Sequence, residues 1–587
     1  MPKIGMNDSQ TLTREEKPVR ALVITTTSIL CGLLFAVTAS APVTASDKTG
    51  PVVKTAEGPV TGLVRNGVYE FLGIPYAAPP VGKWRWMPPQ PVAKWKEPRD
   101  ATHFGKICAQ ATTLGVFAGP ASVDEDCLYL NVFTTKLDKG DTPASSGLPV
   151  IVWIHGGGNV DGTAADYDGS KLATGGPLGV PTVVVTINYR LGLFGFLAHP
   201  ALNAENHPFG NYGIMDIQSA LRWVQRNAAA FGGDATRVTL GGQSAGATDT
   251  GANIIAPSSA GLFHRAIFQS SPLNAMPPLA VGLTRGGDFG MAAGCGSGAD
   301  AAAAACLRAL SVSRILQLQG TANGNGPYVT GPMVDGSIVP VSPNTAWTAG
   351  RFNRMPIMAG NVQDEQTFGI GITEYFSGPP QAPINEAQYV ANITAAYSGV
   401  EYPGGPNYPK GTVEAVLKQY PPGSDPQTAL DLAGSHAGAC RNRRIDAMWA
   451  KWPDTPVYAY EFNDRHAPYY FPAMPGFTPL AAHTIDIQFL FPLWHGGILG
   501  TPGASQSAEL SADEQRLSDQ LVAAWTRFAK TGNPNDSGNR PWPRFVNQEG
   551  VPEYLSQNVP ALSTFTNAQF GTDHNCDFWD RIIVYQP

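Results

Sequence analysis

Four short runs of β-branched and aromatic residues constrain the fold of this chain more than any other feature: "LPVIVWI" at 148–154, "PTVVVTINY" at 181–189, "RVTL" at 237–240 and "PVYAYEF" at 456–462. Near-continuous apolar runs of this length suit strands covered on both faces, as in a mainly parallel sheet held between helices. Helical patterns lie between them. In "MDIQSALRWVQRNAAAF" (215–231), Ile217, Leu221, Val224 and Phe231 recur at helical spacing. At 511–530, Leu517, Leu521, Trp525 and Phe528 line one face behind a Ser511/Glu514 capping box, and Gly532 is placed to stop the helix. The alternation predicts an α/β fold: a large, mixed, mostly parallel central sheet with helices on both faces.

Composition narrows the class. Only 14% of the residues are charged and 43% are hydrophobic, with 65 glycines and 51 prolines, which fits a well-buried, loop-rich globular chain. The net charge of -7, with no Lys/Arg cluster, argues against nucleic-acid binding. Length alone suggests several domains. At the N-terminus, Lys3, Arg14, Lys17 and Arg20 precede the apolar run "ALVITTTSILCGLLFAVTA" and the small-residue stretch "SAPVTAS". Residues 1–46 read as an export signal cleaved near Ala45 or Ser46, which leaves a mature chain without a stable membrane span, secreted or periplasmic; a retained anchor is the alternative. Setting Cys31 aside, six cysteines remain, an even number that suggests disulfides in an exported chain, with about 15 possible connectivities. No metal-ligand spacing occurs among them, and no metal or cofactor is expected.

One motif carries chemistry. "GGQSAGA" (241–247) holds a G-x-S-x-G pattern around Ser244, but a chain this rich in glycine yields about 0.4 such patterns by chance. Context decides. Ser244 follows the "RVTL" strand and precedes a segment able to begin a helix, the setting of a nucleophile elbow, where Gly242 and Gly246 let strand and helix backbones approach. A serine nucleophile needs a base, an acid to orient it, and donors for an oxyanion. The donors are offered by "WIHGGGN" (153–159) at a strand end upstream: the N–H groups of Gly157 and Gly158, with that of Ala245. An acid is offered by "MAGNVQDEQTF" (358–368), where either Asp364 or Glu365 can accept from an imidazole. Among His436, His466, His483, His495 and His574, His483 is best placed. It follows a loop after "PVYAYEF", on the carboxyl side of the sheet, and opens an apolar run that reads as helical.

Taken together, these residues resemble the type-B carboxylesterases. The resemblance runs from about Thr55 to the C-terminus through "FLGIPYAAPPVG" (71–82), "EDCLYLNV" (125–132), "WIHGGG" (153–158), "NYRLGLFGFL" (188–197), "WVQRNAAAFGGD" (223–234), "GGQSAGA" (241–247), "LFHRAIFQSS" (262–271) and "FAKTGNPN" (528–535). It implies one α/β-hydrolase domain over 47–587 in place of the several domains that length suggests. It also implies serine esterase activity on small-molecule esters with Ser244 as nucleophile, His483 as base, Glu365 rather than Asp364 as acid, and Gly157, Gly158 and Ala245 around the oxyanion. Three disulfides are implied, Cys108–Cys127, Cys295–Cys306 and Cys440–Cys576, worth about 3 kcal/mol for the short loops and about 5 for the longest on chain-entropy grounds. Lipases, amidases and non-catalytic binding proteins share the framework and are the alternatives.

The chain departs from the family pattern at informative places. Gln243 stands before the serine where the family often has Glu, and no tryptophan lies between Cys108 and Cys127. Without that carboxylate and indole face, a quaternary ammonium loses its main attractions, which argues against a cholinesterase. The loop between Cys108 and Cys127 is short, which favours an open gorge and soluble esters over a lipid surface. Asn159 replaces the usual aromatic after the glycine run, and Gln366 the glycine after Asp-Glu, so pocket shape and the backbone of the acid loop are the expected points of difference.

Overall fold

The strand-forming runs come together in one sheet. The computed structural model describes residues 50–582 apart from 113–118, 139–146, 272–275, 321–326, 400–407, 493, 495–508 and 537–540. The export signal expected at 1–46 lies outside the described residues. The sheet is built from β1 (Leu63–Arg65), β2 (Val68–Pro75), β3 (Tyr129–Thr134), β4 (Leu148–Ile154), β5 (Val183–Ile187), β6 (Gly233–Gln243), β7 (Arg265–Gln269), β8 (Ile357–Val362), β9 (Val457–Phe462), β10 (Pro552–Gln557) and β11 (Ser563–Thr566). Its spatial order is β11-β10-β9-β8-β7-β6-β4-β5-β3-β2-β1. The pairs from β5 through β10 are parallel, and both edges are antiparallel. The apolar runs of the sequence form the middle of this order.

Most of the central strands feed two cores. Along β4, Val150, Val152 and Ile154 join one buried cluster while Ile151 and Trp153 join the other. The first cluster is closed by α1 (Tyr212–Asn227), α2 (Ala245–Ile255) and α3 (Pro426–Ala450), which contribute Trp223, Ile254 and Trp449. The second is closed by α4 (Ala512–Thr531), whose Leu517, Leu521, Trp525 and Phe528 are the stripe read from the sequence. Burying side chains of this size contributes about 1.5–3 kcal/mol each, so the two clusters dominate the favourable side of folding. The ends of α4 are set as expected: Ser511 and Glu514 form a reciprocal capping box, and Gly532 closes the helix at φ 77°.

Three disulfides pair the six cysteines as Cys108–Cys127, Cys295–Cys306 and Cys440–Cys576. Such pairs fit an oxidising, extracellular or periplasmic setting. Among the described residues no single helix is long and apolar enough to cross a membrane.

One local expectation fails. The run after His483 forms turns and a single 3₁₀ turn at Ile487–Phe489, not a helix. Thr484 sits at φ 79°, which breaks a right-handed helix at its first step, and Pro492 disfavours the helical conformation at Phe491.

Candidate active site

The central strands end at one rim of the sheet, and the expected residues meet there. β6 stops at Gln243, Ser244 turns the chain with φ 57° and ψ -122°, and α2 begins at Ala245. A non-glycine residue at positive φ is strained and persists only where its surroundings fix it. Here the packing explains both glycines. A Cβ on Gly242 would lie 2.5 Å from the backbone of Gly246, and one on Gly246 would lie 2.2 Å from the Ile154 carbonyl oxygen. The Ser244 amide donates to the Gln269 carbonyl (2.9 Å), which ties the turn to β7.

From that turn a hydrogen-bond chain runs outward. Ser244 Oγ is 2.9 Å from His483 Nε2, and His483 Nδ1 is 2.5 Å from Glu365 Oε2. Glu365 Oε1 accepts from the Val362 amide at 3.1 Å, so the carboxylate is anchored to the end of β8. Burial works against an imidazolium at His483, but the charge and hydrogen bond of Glu365 outweigh it and raise its pKa above the ordinary value. The Phe368 ring packs against the imidazole with centroids 5.6 Å apart.

The glycine run passes beside the serine. A Cβ on Gly156 would lie 3.1 Å from Ser244 Cβ, and Gly157 and Gly158 take φ values of 106° and 61°. Such a run places successive backbone N–H groups along one concave surface. Among the described residues, no acceptor meets the amides of Gly157, Gly158 or Ala245.

The other candidates lie elsewhere. Asp364 is bound by Arg465 and turned from the histidine. His466 is exposed, His436 is buried against Tyr420, and His574 pairs with Glu461 at 2.6 Å. His495 lies outside the described residues. Gln366 takes an ordinary φ of -76° and donates its amide to Ser435 Oγ, so the acid loop needs no glycine there.

Several contacts at the site are absent from the sequence reading. Tyr469 donates to the His483 carbonyl at 2.6 Å and lies 3.0 Å from Thr484 Oγ1. Gln243 Nε2 lies 3.2 Å from His483 Nε2. Asn159, beside the glycine run, donates to Asp249 of α2 at 3.2 Å. An aspartate in "AGATDTGANII", a segment otherwise of small, apolar and uncharged residues, was the one signal available for the last of these.

A mostly parallel sheet with a strand-to-helix turn that presents a serine to a histidine and an acid from loops following later strands defines an α/β-hydrolase. Comparison with known proteins narrows the class. The sequence model of the carboxylesterase family matches residues 49–579. The fumonisin B1 esterase of Sphingopyxis macrogoltabida is 34% identical, covering 88% of each chain. The pyrethroid hydrolase Ces2a of Mus musculus is 31% identical over 94% of this chain and 95% of its own, and the acetylcholinesterase of Bungarus fasciatus 30% over 90% and 86%. The chain belongs to the carboxylesterase family, and it is a carboxylic ester hydrolase.

Proposed function

We propose that the enzyme hydrolyses soluble carboxylic esters by two-step acyl transfer on Ser244. The observation that carries this reading is the continuous line from Ser244 Oγ through His483 to Glu365, next to three amides that meet no acceptor among the described residues. His483 takes the Ser244 proton as Oγ attacks the carbonyl carbon, and the Glu365 carboxylate stabilises the imidazolium. The tetrahedral oxyanion is held by the amides of Gly157, Gly158 and Ala245, each such donor being worth about 3–4 kcal/mol at the transition state. His483 then protonates the departing alcohol. Water, deprotonated by the same nitrogen, attacks the acyl-serine, and collapse of the second tetrahedral intermediate releases the acid and restores Ser244.

The same reading takes 1–46 as an export signal and 47–587 as a single catalytic domain. The name of the fumonisin B1 esterase recommends that compound for a substrate panel varying acyl and alcohol size. The test is turnover of p-nitrophenyl butyrate by the purified protein and by Ser244→Ala. Equal rates would refute the nucleophile; faster turnover of a matched amide than of its ester would refute the substrate class.

A further inference from the structure

The glycine run needs an anchor, because an oxyanion is stabilised only by donors already in place. What holds it is a buried polar chain that the acyl-transfer mechanism does not use. Asn159 follows the three glycines at φ 60° and is buried. Its carbonyl accepts from the Gly192 amide (2.6 Å), its Oδ1 from the Tyr189 hydroxyl (3.0 Å), and its Nδ2 donates to Asp249 Oδ1 (3.2 Å). Asp249 is fully buried on α2, five residues beyond Ser244. The Asn159–Asp249 contact therefore joins the loop bearing Gly157 and Gly158 to the helix whose first residue is Ala245, the two halves of the expected oxyanion site.

We propose that Asp249 is a positioning residue that fixes the oxyanion loop against the nucleophile helix through Asn159. This rests on the reading of Gly157, Gly158 and Ala245 as oxyanion donors. The surroundings are those of a neutral acid. The titratable groups around the chain are Tyr189, Tyr167, Asp161 and His155; burial holds His155 down at about 4, so it is neutral, and no cation among the described residues acts on Asp249. Burial pushes the Asp249 carboxyl up to about 8, with the Asn159 amide and Tyr189 hydroxyl pulling the other way. Above that pH a negative charge forms behind the loop, where it opposes a second negative charge on the substrate oxygen.

The experiment compares wild type, Asp249→Ala, Asp249→Asn, Asn159→Ala and the double alanine variant on p-nitrophenyl butyrate, with kcat and KM measured from pH 6 to 10. Asp249→Ala and Asn159→Ala should each lower kcat about 10- to 100-fold with KM within about 3-fold, since one oxyanion donor displaced costs up to that order or more. The double variant should be no worse than either alone. Asp249→Asn, which keeps the acceptor and cannot ionise, should recover most of the lost kcat and abolish the fall in kcat above pH 8. Additive losses, a loss confined to KM, or an alkaline fall retained in Asp249→Asn would each overturn the proposal. Should Asp249→Ala fail to fold, Asn159→Ala and the pH profile of Asp249→Asn decide it. Active-site titration with a phosphorylating reagent keeps the two readings apart: loss of labelling in Ser244→Ala supports the acyl-transfer mechanism whatever the Asp249 variants do.

Discussion

Arg465 grips Asp364 through both carboxylate oxygens, with Nη2 to Oδ1 at 2.6 Å and Nε to Oδ2 at 2.8 Å. Asp364 precedes Glu365, and its Oδ2 also accepts from the Ala481 amide while its own amide donates to the Ala481 carbonyl. The acid loop and the histidine loop are thus bound together one residue from Glu365 and two from His483. Of two adjacent carboxylates, one builds the joint and the other is left to face the imidazole.

Removing the cation from this joint should cost stability. The Asp364 side chain is 2% exposed and that of Arg465 41%. Stripping one partner from a fully buried pair costs about 3–5 kcal/mol, and the partial exposure of Arg465 reduces the expectation for Arg465→Ala to about 1–3 kcal/mol. Replacing both residues by alanine should recover part of that, because no buried carboxylate is left unpaired. Urea unfolding with an unchanged slope checks it, and a double variant less stable than Arg465→Ala would count against the account.

The pH profile should report His483. Its raised pKa means that kcat/KM climbs with pH as the imidazolium loses its proton, with a midpoint above the ordinary value of 6.5. The same shift contributes stability that is fully present below about pH 6.5, the unfolded value, and is lost as pH rises through the folded one. In Glu365→Gln the two largest raising influences vanish, while burial and the weaker pull of Asp486 remain, so the midpoint should fall below that of wild type while kcat drops by about 10⁴-fold. A midpoint unmoved by the substitution would mean that Glu365 does not control the imidazole.

Much of this site could be read from the chain, for physical reasons that also mark the limit. β4, β5, β6 and β9 are buried on both faces, so their apolar runs announce them, and the Ser511 cap and Gly532 stop bound α4 locally. Gly242 and Gly246 are legible because steric exclusion at an elbow leaves a local trace. The outer strands are different: β1 and β11 are half exposed and four residues or fewer, too short to show a pattern. Arg465 and Asp249 are not legible because each acts through a partner distant in sequence, Asp364 lying 101 residues from Arg465 and Asn159 lying 90 from Asp249, and Tyr469 reaches His483 across a 14-residue loop whose path the sequence does not set. Ordinary polar residues in loops carry no mark of such a pairing.

Thr484 holds a left-handed backbone immediately after the histidine, and its hydroxyl lies 3.0 Å from Tyr469 Oη and 3.2 Å from Tyr470 Oη. Tyr469 also donates to the His483 carbonyl. Tyr469→Phe removes the contacts of that hydroxyl to His483, Thr484 and Tyr470 while keeping the ring, and at about 0.5–1.5 kcal/mol per hydrogen bond it should lower kcat by roughly 3- to 10-fold. Thr484→Gly removes the steric strain at φ 79° together with the hydroxyl contacts, so its net effect on stability should be within about 1 kcal/mol of zero. Thermal denaturation and steady-state rates on a neutral ester check the pair. Full activity in Tyr469→Phe would show that the imidazole is oriented by Glu365 and packing alone.

Gln243 offers the sharpest change of substrate preference. Its Nε2 lies 3.2 Å from His483 Nε2, the nitrogen that also meets Ser244, so a neutral amide faces the atom that becomes cationic in the proposed mechanism. Gln243→Glu puts a carboxylate there at nearly constant shape. Two unit charges about 4 Å apart at an effective dielectric of 20 attract by about 4 kcal/mol, and burying the new carboxylate takes back part of that. The expected result is a His483 midpoint raised by about one to two pH units, with activity on neutral esters lost first at low pH. The new charge should also favour a cationic alcohol, so the ratio of kcat/KM for a choline ester to that for an uncharged ester of equal size should rise by about 10-fold or more. Measuring both esters across pH separates the two effects, because a shifted midpoint alone moves both substrates together. A ratio that does not change at any pH would place the alcohol of the substrate out of reach of Gln243 and remove this residue from the account of specificity.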